Sequence, residues 1–176
     1  WYYGAGNPKL TSTYSYEPVK KEVTVSIAQT QSNLFQFPLN IDVFVNGVAN
    51  REKVWVDAKA KNSFTFSAAK APDLINLNPD GVIISEITES KTPEQYFMQY
   101  SGSKDFKARY LAVEDAAKNA DKNPTSLKTL VAALKDPFFR IKIQALDALD
   151  LSNSDQEKMA LSEVEKLAQN YTTPLV

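Results

Sequence analysis

Val23-Thr24-Val25-Ser26-Ile27-Ala28-Gln29 and the later run Phe35-Gln36-Phe37-Pro38-Leu39-Asn40-Ile41-Asp42-Val43-Phe44-Val45 place an apolar residue at every second position. That period belongs to a half-buried strand, because successive side chains leave opposite faces of an extended backbone. Asn46-Gly47 ends the second run with residue types that adopt positive φ readily, which predicts a tight hairpin into Val48. The alternation extends to Tyr14 and Tyr16 on one side, and to Val54 with Val56 and Phe64 with Phe66 on the other. Glu17-Pro18, Ala71-Pro72 and Asn78 to Gly81 separate the runs with turn-forming residues. Six or seven short strands, each beside a turn, predict an antiparallel β-sandwich up to about residue 90.

After Lys91 the spacing changes to the 3.6-residue period of helices. Thr92-Pro93-Glu94-Gln95 predicts a helix start with a capping box, Asn123-Pro124 and Asp136-Pro137 predict two more by the cap-then-proline device, and Ser154 with Glu157 predicts a second box. Between them run Phe106, Tyr110, Leu111 and Val113; Leu127, Leu130, Val131 and Leu134; and Ala160, Val164, Leu167 and Tyr171. From Pro137 to about Leu151 two adjacent faces are apolar, with Phe138, Ile141, Ala145 and Leu149 beside Phe139, Ile143 and Leu146. A helix buried on both sides, in a stack of helix pairs, requires that pattern. Short capped helices in series predict an α-solenoid, so the expected layout is β then α in two domains, with the boundary near Ser90 to Thr92.

Composition excludes several function classes. Among 176 residues there is no histidine and no cysteine. The one side chain that titrates near neutrality and the thiol nucleophile are therefore both missing, and acid-base work would fall to strongly shifted carboxylates, lysines or tyrosines. With 20 Lys plus Arg against 21 Asp plus Glu, and no basic run longer than Lys20-Lys21, the chain lacks the electrostatic footprint of a nucleic-acid binder. Apolar stretches such as Val82 to Ile84 and Phe138-Phe139 fall far short of the roughly 20 residues of a membrane span. A chain without thiols suits either redox compartment, so localisation stays open.

Without imidazole or thiolate, only oxygen ligands remain for a metal. Asn76-Leu77-Asn78-Pro79-Asp80-Gly81 has the look of an acidic calcium loop but lacks the far-end bidentate acid, and reads as a polar turn. The pairs Glu86 and Glu89, Glu114 and Asp115, and Glu163 and Glu165 sit in polar contexts and read as solvated surface. No serine lies in Gly-x-Ser-x-Gly, and no histidine is present to activate one. Trp1, Tyr2, Tyr3, Tyr14 and Tyr16 suit core or interface packing better than a sugar platform. Trp55 is expected on the strand face opposite Val54 and Val56, covering the other side of its sheet or a neighbouring domain. Arg109, Arg140 and Lys142 are helix cations whose default is a solvated face. Asn170-Tyr171-Thr172 matches a glycosylation sequon, a pattern common by chance.

Three stretches together resemble the aminopeptidase N-like zinc metallopeptidases. Trp1-Tyr2-Tyr3-Gly4-Ala5-Gly6-Asn7-Pro8-Lys9-Leu10 is similar to the segment leaving that family's catalytic domain, with a tryptophan followed by Gly-x-Pro-x-Leu. Val23 to Gln31 followed by Phe35-Gln36-Phe37-Pro38 resembles the family's sandwich domain, in which a strand ending in Gln-Thr-Gln precedes Phe-x-Phe-Pro. Leu134-Lys135-Asp136-Pro137-Phe138-Phe139-Arg140-Ile141-Lys142 is similar to the Asp-Pro-Phe-Trp-x-Val-Arg signature of its HEAT-like helical domain. The chain departs from the pattern at Asn7, where a histidine or an aromatic is common.

The resemblance implies a C-terminal, non-catalytic region of a zinc aminopeptidase: residues 1–8 as the linker from a missing catalytic domain, 9–91 as the sandwich, and 92–176 as part of a HEAT-like array. Both ends are then expected to be cuts. The His-Glu-x-x-His and Gly-x-Met-Glu-Asn motifs have no match, so no catalytic residue, metal ligand or cofactor is carried over, and zinc belongs to the parent enzyme. The implied partners are the catalytic domain of the same polypeptide, which the sandwich braces, and the parent's peptide substrate, over which the helices form a lid. Trp1, Tyr2, Tyr3 and Trp55 become candidates for the domain interface, and Arg109, Arg140 and Lys142 weaker ones for the substrate's far end. The alternative is a stand-alone binding or scaffold module, a sandwich with a protein-binding helical solenoid and no peptidase activity.

Overall fold

A computed structural model describes residues 6–170, and Trp1, Tyr2, Tyr3 and Tyr171-Thr172 of the sequon lie outside them. The described residues divide between Lys91 and Thr92 into two compact units. The first carries seven strands: β1 (Lys9–Glu17), β2 (Glu22–Gln29), β3 (Phe37–Val45), β4 (Val48–Val56), β5 (Lys61–Ser67), β6 (Leu74–Leu77) and β7 (Glu86–Thr88). They form a four-stranded sheet in the order β5-β2-β1-β7 and a three-stranded sheet in the order β4-β3-β6. Leu10, Val23, Val25 and Ile27 of the first sheet and Phe37, Leu39, Ile41, Val43, Val56, Ile75 and Leu77 of the second share one core. The period-two pattern therefore marks one inward face from each sheet, with Tyr16, Val54, Phe64 and Phe66 partly buried against the core and Tyr14, marked by the same alternation, 44 % exposed.

Asn46 and Gly47 turn at φ 54° and 73°, and Val45 pairs with Val48 across the two-residue hairpin. One expectation fails. The first sheet is mixed, because β7 pairs parallel to β1, Lys9 opposite Glu86 and Thr11 opposite Thr88. The run from Phe35 also starts its strand two residues late, at Phe37. Residues 30–36 cross from one sheet to the other, so no neighbouring strand is in position for Phe35. The buried Gln29 side chain takes that place: Phe35 N–H donates to Gln29 Oε1 at 3.0 Å, and Gln29 Nε2 donates to Phe35 C=O at 2.7 Å. Gln29 Nε2 also donates to the Asp57 carbonyl at 3.0 Å, tying the β4–β5 loop to the same point. Asn78 at φ 47° repeats the device, pairing its amide with Ile83 N–H at 3.3 Å and Ile83 C=O at 2.7 Å.

The second unit has five helices: α1 (Pro93–Gly102), α2 (Phe106–Asn119), α3 (Pro124–Ala133), α4 (Phe139–Ala148) and α5 (Ser154–Asn170). Consecutive helices from α1 to α4 pack on one another, and α1 on α3, α2 on α4 and α3 on α5 do so as well. Thr92 and Gln95 form the capping box expected of them, and Asn123 caps α3 through Thr125 and Ser126 N–H. The other two starts shift. Asn153, not Ser154, caps α5, taking Asp155 N–H at 3.0 Å and Gln156 N–H at 3.3 Å. Asp136 accepts Phe138 N–H at 2.8 Å in a turn, and α4 begins only at Phe139. Nor is α4 buried on two faces: Ile141 and Ala145 enter the core, while Phe138, Phe139 and Ile143 are 38 %, 50 % and 38 % exposed.

Candidate functional site

The outer face of the three-stranded sheet carries Pro38, Asn40, Asp42 and Phe44 of β3, and Arg51, Lys53 and Trp55 of β4. Trp55 lies opposite Pro38 on edge strand β4, on the face away from Val54 and Val56, and is 54 % exposed. Beside this apolar corner, Arg51 grips the buried Asp42 carboxylate with Nε–Oδ1 at 2.7 Å and Nη2–Oδ2 at 2.9 Å. Such bidentate pairing satisfies an ion that would otherwise be costly to bury. Asn40 donates to Asp80, and Lys91, itself nearly buried, joins Glu89 at 2.5 Å and Asn76 Oδ1 at 2.9 Å.

These bonds account for the loop with the calcium-like sequence. Asn78 is committed to Ile83 and Ser85, Asp80 to Asn40, and the ammonium of Lys91 faces Asn76. Among the described residues no three acidic side chains come together in a group able to hold a metal ion. The carboxylate pairs do not act as pairs either. Glu86 is bound by Lys9 at 3.0 Å, Glu89 by Lys91, Glu114 by Lys118 at 3.1 Å, and Glu163 by Lys135 and Lys166 at 3.1 and 2.8 Å. Hydrogen bonds from Lys9 and Asn7 hold the Glu86 carboxyl below its ordinary value, and those from Lys166 and Lys135 do the same for Glu163. A general acid at neutral pH needs the opposite shift.

The three cations named from the sequence fare differently. Arg109 is mostly buried, its Nε donating to Asp136 Oδ2 at 2.8 Å, its Nη2 to Oδ1 at 3.3 Å and its Nη1 to the Lys104 carbonyl at 2.6 Å. Tyr100 adds a hydroxyl whose one proton is shared between Asp136 Oδ2 at 3.3 Å and the Ala132 carbonyl at 3.2 Å. Burial, then the Asp136 charge, raises the Tyr100 phenol well above its ordinary value. Arg140 is exposed and sits over the Phe139 ring, 5.9 Å from its centre. Lys142 is half-buried one helical step beyond Ile141.

Two features had no single signal in the sequence. A cleft of about 550 Å³ opens between the α2–α3 turn and the start of α5, lined by Asp121, Asn123, Leu127, Gln156 and Met159 among others. Its buried amide is already engaged, Gln156 bonding Asp121 and Asp150 N–H. The other is an aromatic cluster in which Phe106 meets Tyr110 at 5.5 Å and Phe138 at 4.7 Å, and Phe138 meets Phe139 at 5.2 Å between ring centres. Helical periodicity assigned these rings to the interior; only the pairing of α2 with α4 shows them as one surface.

No protein-family model and no curated protein sequence matches the chain. Among solved structures, it is similar to Legionella pneumophila aminopeptidase A in complex with aspartic acid, with a TM-score of 0.71 and 11 % identity over 97 % of this chain. The chain spans 25 % of the length of that structure. At that identity the likeness is one of fold.

Proposed function

We propose that this chain is a non-catalytic region of a zinc-dependent aminopeptidase, in which the β unit braces the catalytic domain and the helices form part of a HEAT-like lid over the peptide cavity. The observation that carries the reading is the likeness along 97 % of the chain to a quarter of an aminopeptidase, in the order β then α. The three sequence stretches that resemble the same family support it independently. So does the stacking in which α1 meets α3, α2 meets α4 and α3 meets α5, since each helix of an array touches its second neighbour.

Zinc is part of this reading only for the parent. The chain has no histidine or cysteine, and among the described residues no group of acids able to hold a metal ion comes together, so the residues present do not fit a zinc site and no chemical step is assigned to them. Trp55 supplies an exposed apolar anchor on a sheet face that also carries the Arg51–Asp42 ion pair, the arrangement of a domain contact with a small hydrophobic centre. Trp1, Tyr2 and Tyr3, which lie outside the described residues, belong to the same proposed contact.

The test is to add the upstream domain of the parent to the purified chain and follow tryptophan quenching by acrylamide. Protection of Trp55 is expected, with loss of binding in Trp55→Ala; quenching that does not change on addition contradicts the bracing role. The scaffold alternative is separated by the upstream reading frame, which encodes His-Glu-x-x-His only if the parent is a peptidase.

A further inference from the structure

We propose that Asn46 is a site of spontaneous deamidation, and that the Asp73 carboxylate is the latch that holds the reaction off while the β3–β4 hairpin is intact. Asn46 is the one asparagine of the sequence followed by glycine. It is exposed at the hairpin tip, and a methyl group built on Gly47 would meet no atom within 4 Å, so side chains do not hinder the peptide nitrogen that must attack. Asn62 and Asn153, each followed by serine, spend their side chains on the fold: Asn62 Oδ1 accepts Asp57 N–H at 2.9 Å, and Asn153 Oδ1 accepts Asp155 N–H at 3.0 Å. Among the described residues no such bond holds the Asn46 side chain.

The reaction needs only the chain and water. The Gly47 nitrogen gives its proton to solvent and bonds to Asn46 Cγ, and the side-chain nitrogen takes a proton from solvent and leaves as ammonia, which closes a succinimide. Water then opens the ring. Addition at Cγ gives aspartate on the original backbone, and addition at the main-chain carbonyl gives isoaspartate, with one more methylene in the backbone. A two-residue turn that pairs Val45 with Val48 has no slack for that methylene, and either product sets a new carboxylate near Asp73.

The folded hairpin opposes the first step. Asn46 and Gly47 sit at φ 54° and 73°, and Asp73 accepts Gly47 N–H at 3.3 Å together with the Asn46 N–H. To reach Cγ, the Gly47 nitrogen must turn about the Asn46 Cα–C bond, which takes its N–H off Asp73. Losing the proton in place is opposed as well, because the resulting anion would face a carboxylate. Asp73 is itself anchored, its N–H donating to the Phe44 carbonyl at 2.9 Å and its carboxylate paired with Lys70 at 3.1 Å. The chemistry belongs to the β unit alone and stands whether or not the parent is a peptidase.

The experiment incubates the full chain at constant temperature in slightly alkaline buffer, with and without enough urea to unfold it, and follows the Asn46 peptide by mass spectrometry with aspartate and isoaspartate separated. Unfolded, Asn46 is expected to convert ahead of every other asparagine, and folding is expected to slow it by about tenfold or more. Asp73→Ala should raise the folded rate about tenfold and leave the unfolded rate unchanged. Gln29→Leu, which weakens the same unit away from the hairpin, should raise it by less, which separates the latch from general unfolding. Should Asp73→Ala not fold, Asp73→Asn keeps an acceptor without the charge and is expected to give a smaller rise in the same direction. Four results would overturn the proposal: an unfolded chain in which Asn46 converts no faster than Asn62 or Asn153, equal folded and unfolded rates, a folded rate that neither Asp73 variant changes, or equal acceleration by Gln29→Leu and Asp73→Ala.

Discussion

Arg109 and Asp136 form a bidentate pair between α2 and the α3–α4 turn, with the aspartate side chain 1 % and the arginine 14 % exposed. Removing one partner leaves the other's charge buried without its counter-ion. Asp136→Ala is expected to destabilise the helical unit by about 3–5 kcal/mol, and Arg109→Met by a similar amount, while the double change recovers part of the loss. Urea unfolding followed by helix circular dichroism measures all three. Equal stability of Asp136→Ala and the parent would show that the pair carries no such energy.

Tyr100 gives the same cluster a pH signature. Burial and the neighbouring carboxylate favour the neutral phenol in the folded chain, so its folded pKa lies above the unfolded one. Its neutral form is shared by both states below about pH 10; above that the unfolded chain loses the proton first and stability falls. Tyr100→Phe should flatten this alkaline decline relative to the unsubstituted chain, and identical slopes above about pH 10 would count against the assignment.

Gln29 replaces a missing strand neighbour for Phe35. Gln29→Leu keeps the volume but orphans a buried N–H and a buried C=O, each expected to cost about 1–3 kcal/mol. Hydrogen exchange at the Phe35 amide should accelerate beyond the global change, and a variant with the parent's stability would refute the role.

At the β3–β4 hairpin, Asp73 accepts Gly47 N–H at 3.3 Å and pairs with Lys70 at 3.1 Å. Burial raises its carboxyl pKa, but the hydrogen bonds from Lys70, Gly47 and Asn46 outweigh it and the net shift is downward. A depressed folded pKa stabilises above the ordinary carboxyl range, near about pH 4, and that contribution is lost as pH falls through the folded value. Asp73→Asn should therefore lose less stability on acidification than the parent. Gly47→Ala, at φ 73°, is expected to cost about 1 kcal/mol at any pH, read from the urea midpoint.

What was legible in the sequence followed from local rules. Val23 to Ile27 and Phe37 to Val43 announced their buried faces by alternation, Asn46-Gly47 its turn, and Thr92 with Gln95 its cap. Long-range partners carried no such mark. The parallel seating of β7 on β1 depends on where the chain returns, and Gln29 acts on residues of two loops. Phe138 and Phe139 have the spacing of core residues, yet are 38 % and 50 % exposed, which the local pattern does not reveal. For the site, the facing of Trp55 could be read from parity, whereas the commitment of Arg109 to Asp136 could not, since 27 positions separate them.

The central claim is that the chain belongs to a peptidase without being one. Its most direct test is to incubate the purified protein with zinc, remove excess metal, and measure bound zinc together with hydrolysis of a leucyl anilide. The account predicts no stoichiometric zinc and no turnover; one zinc per chain, or hydrolysis above the buffer rate, would contradict it.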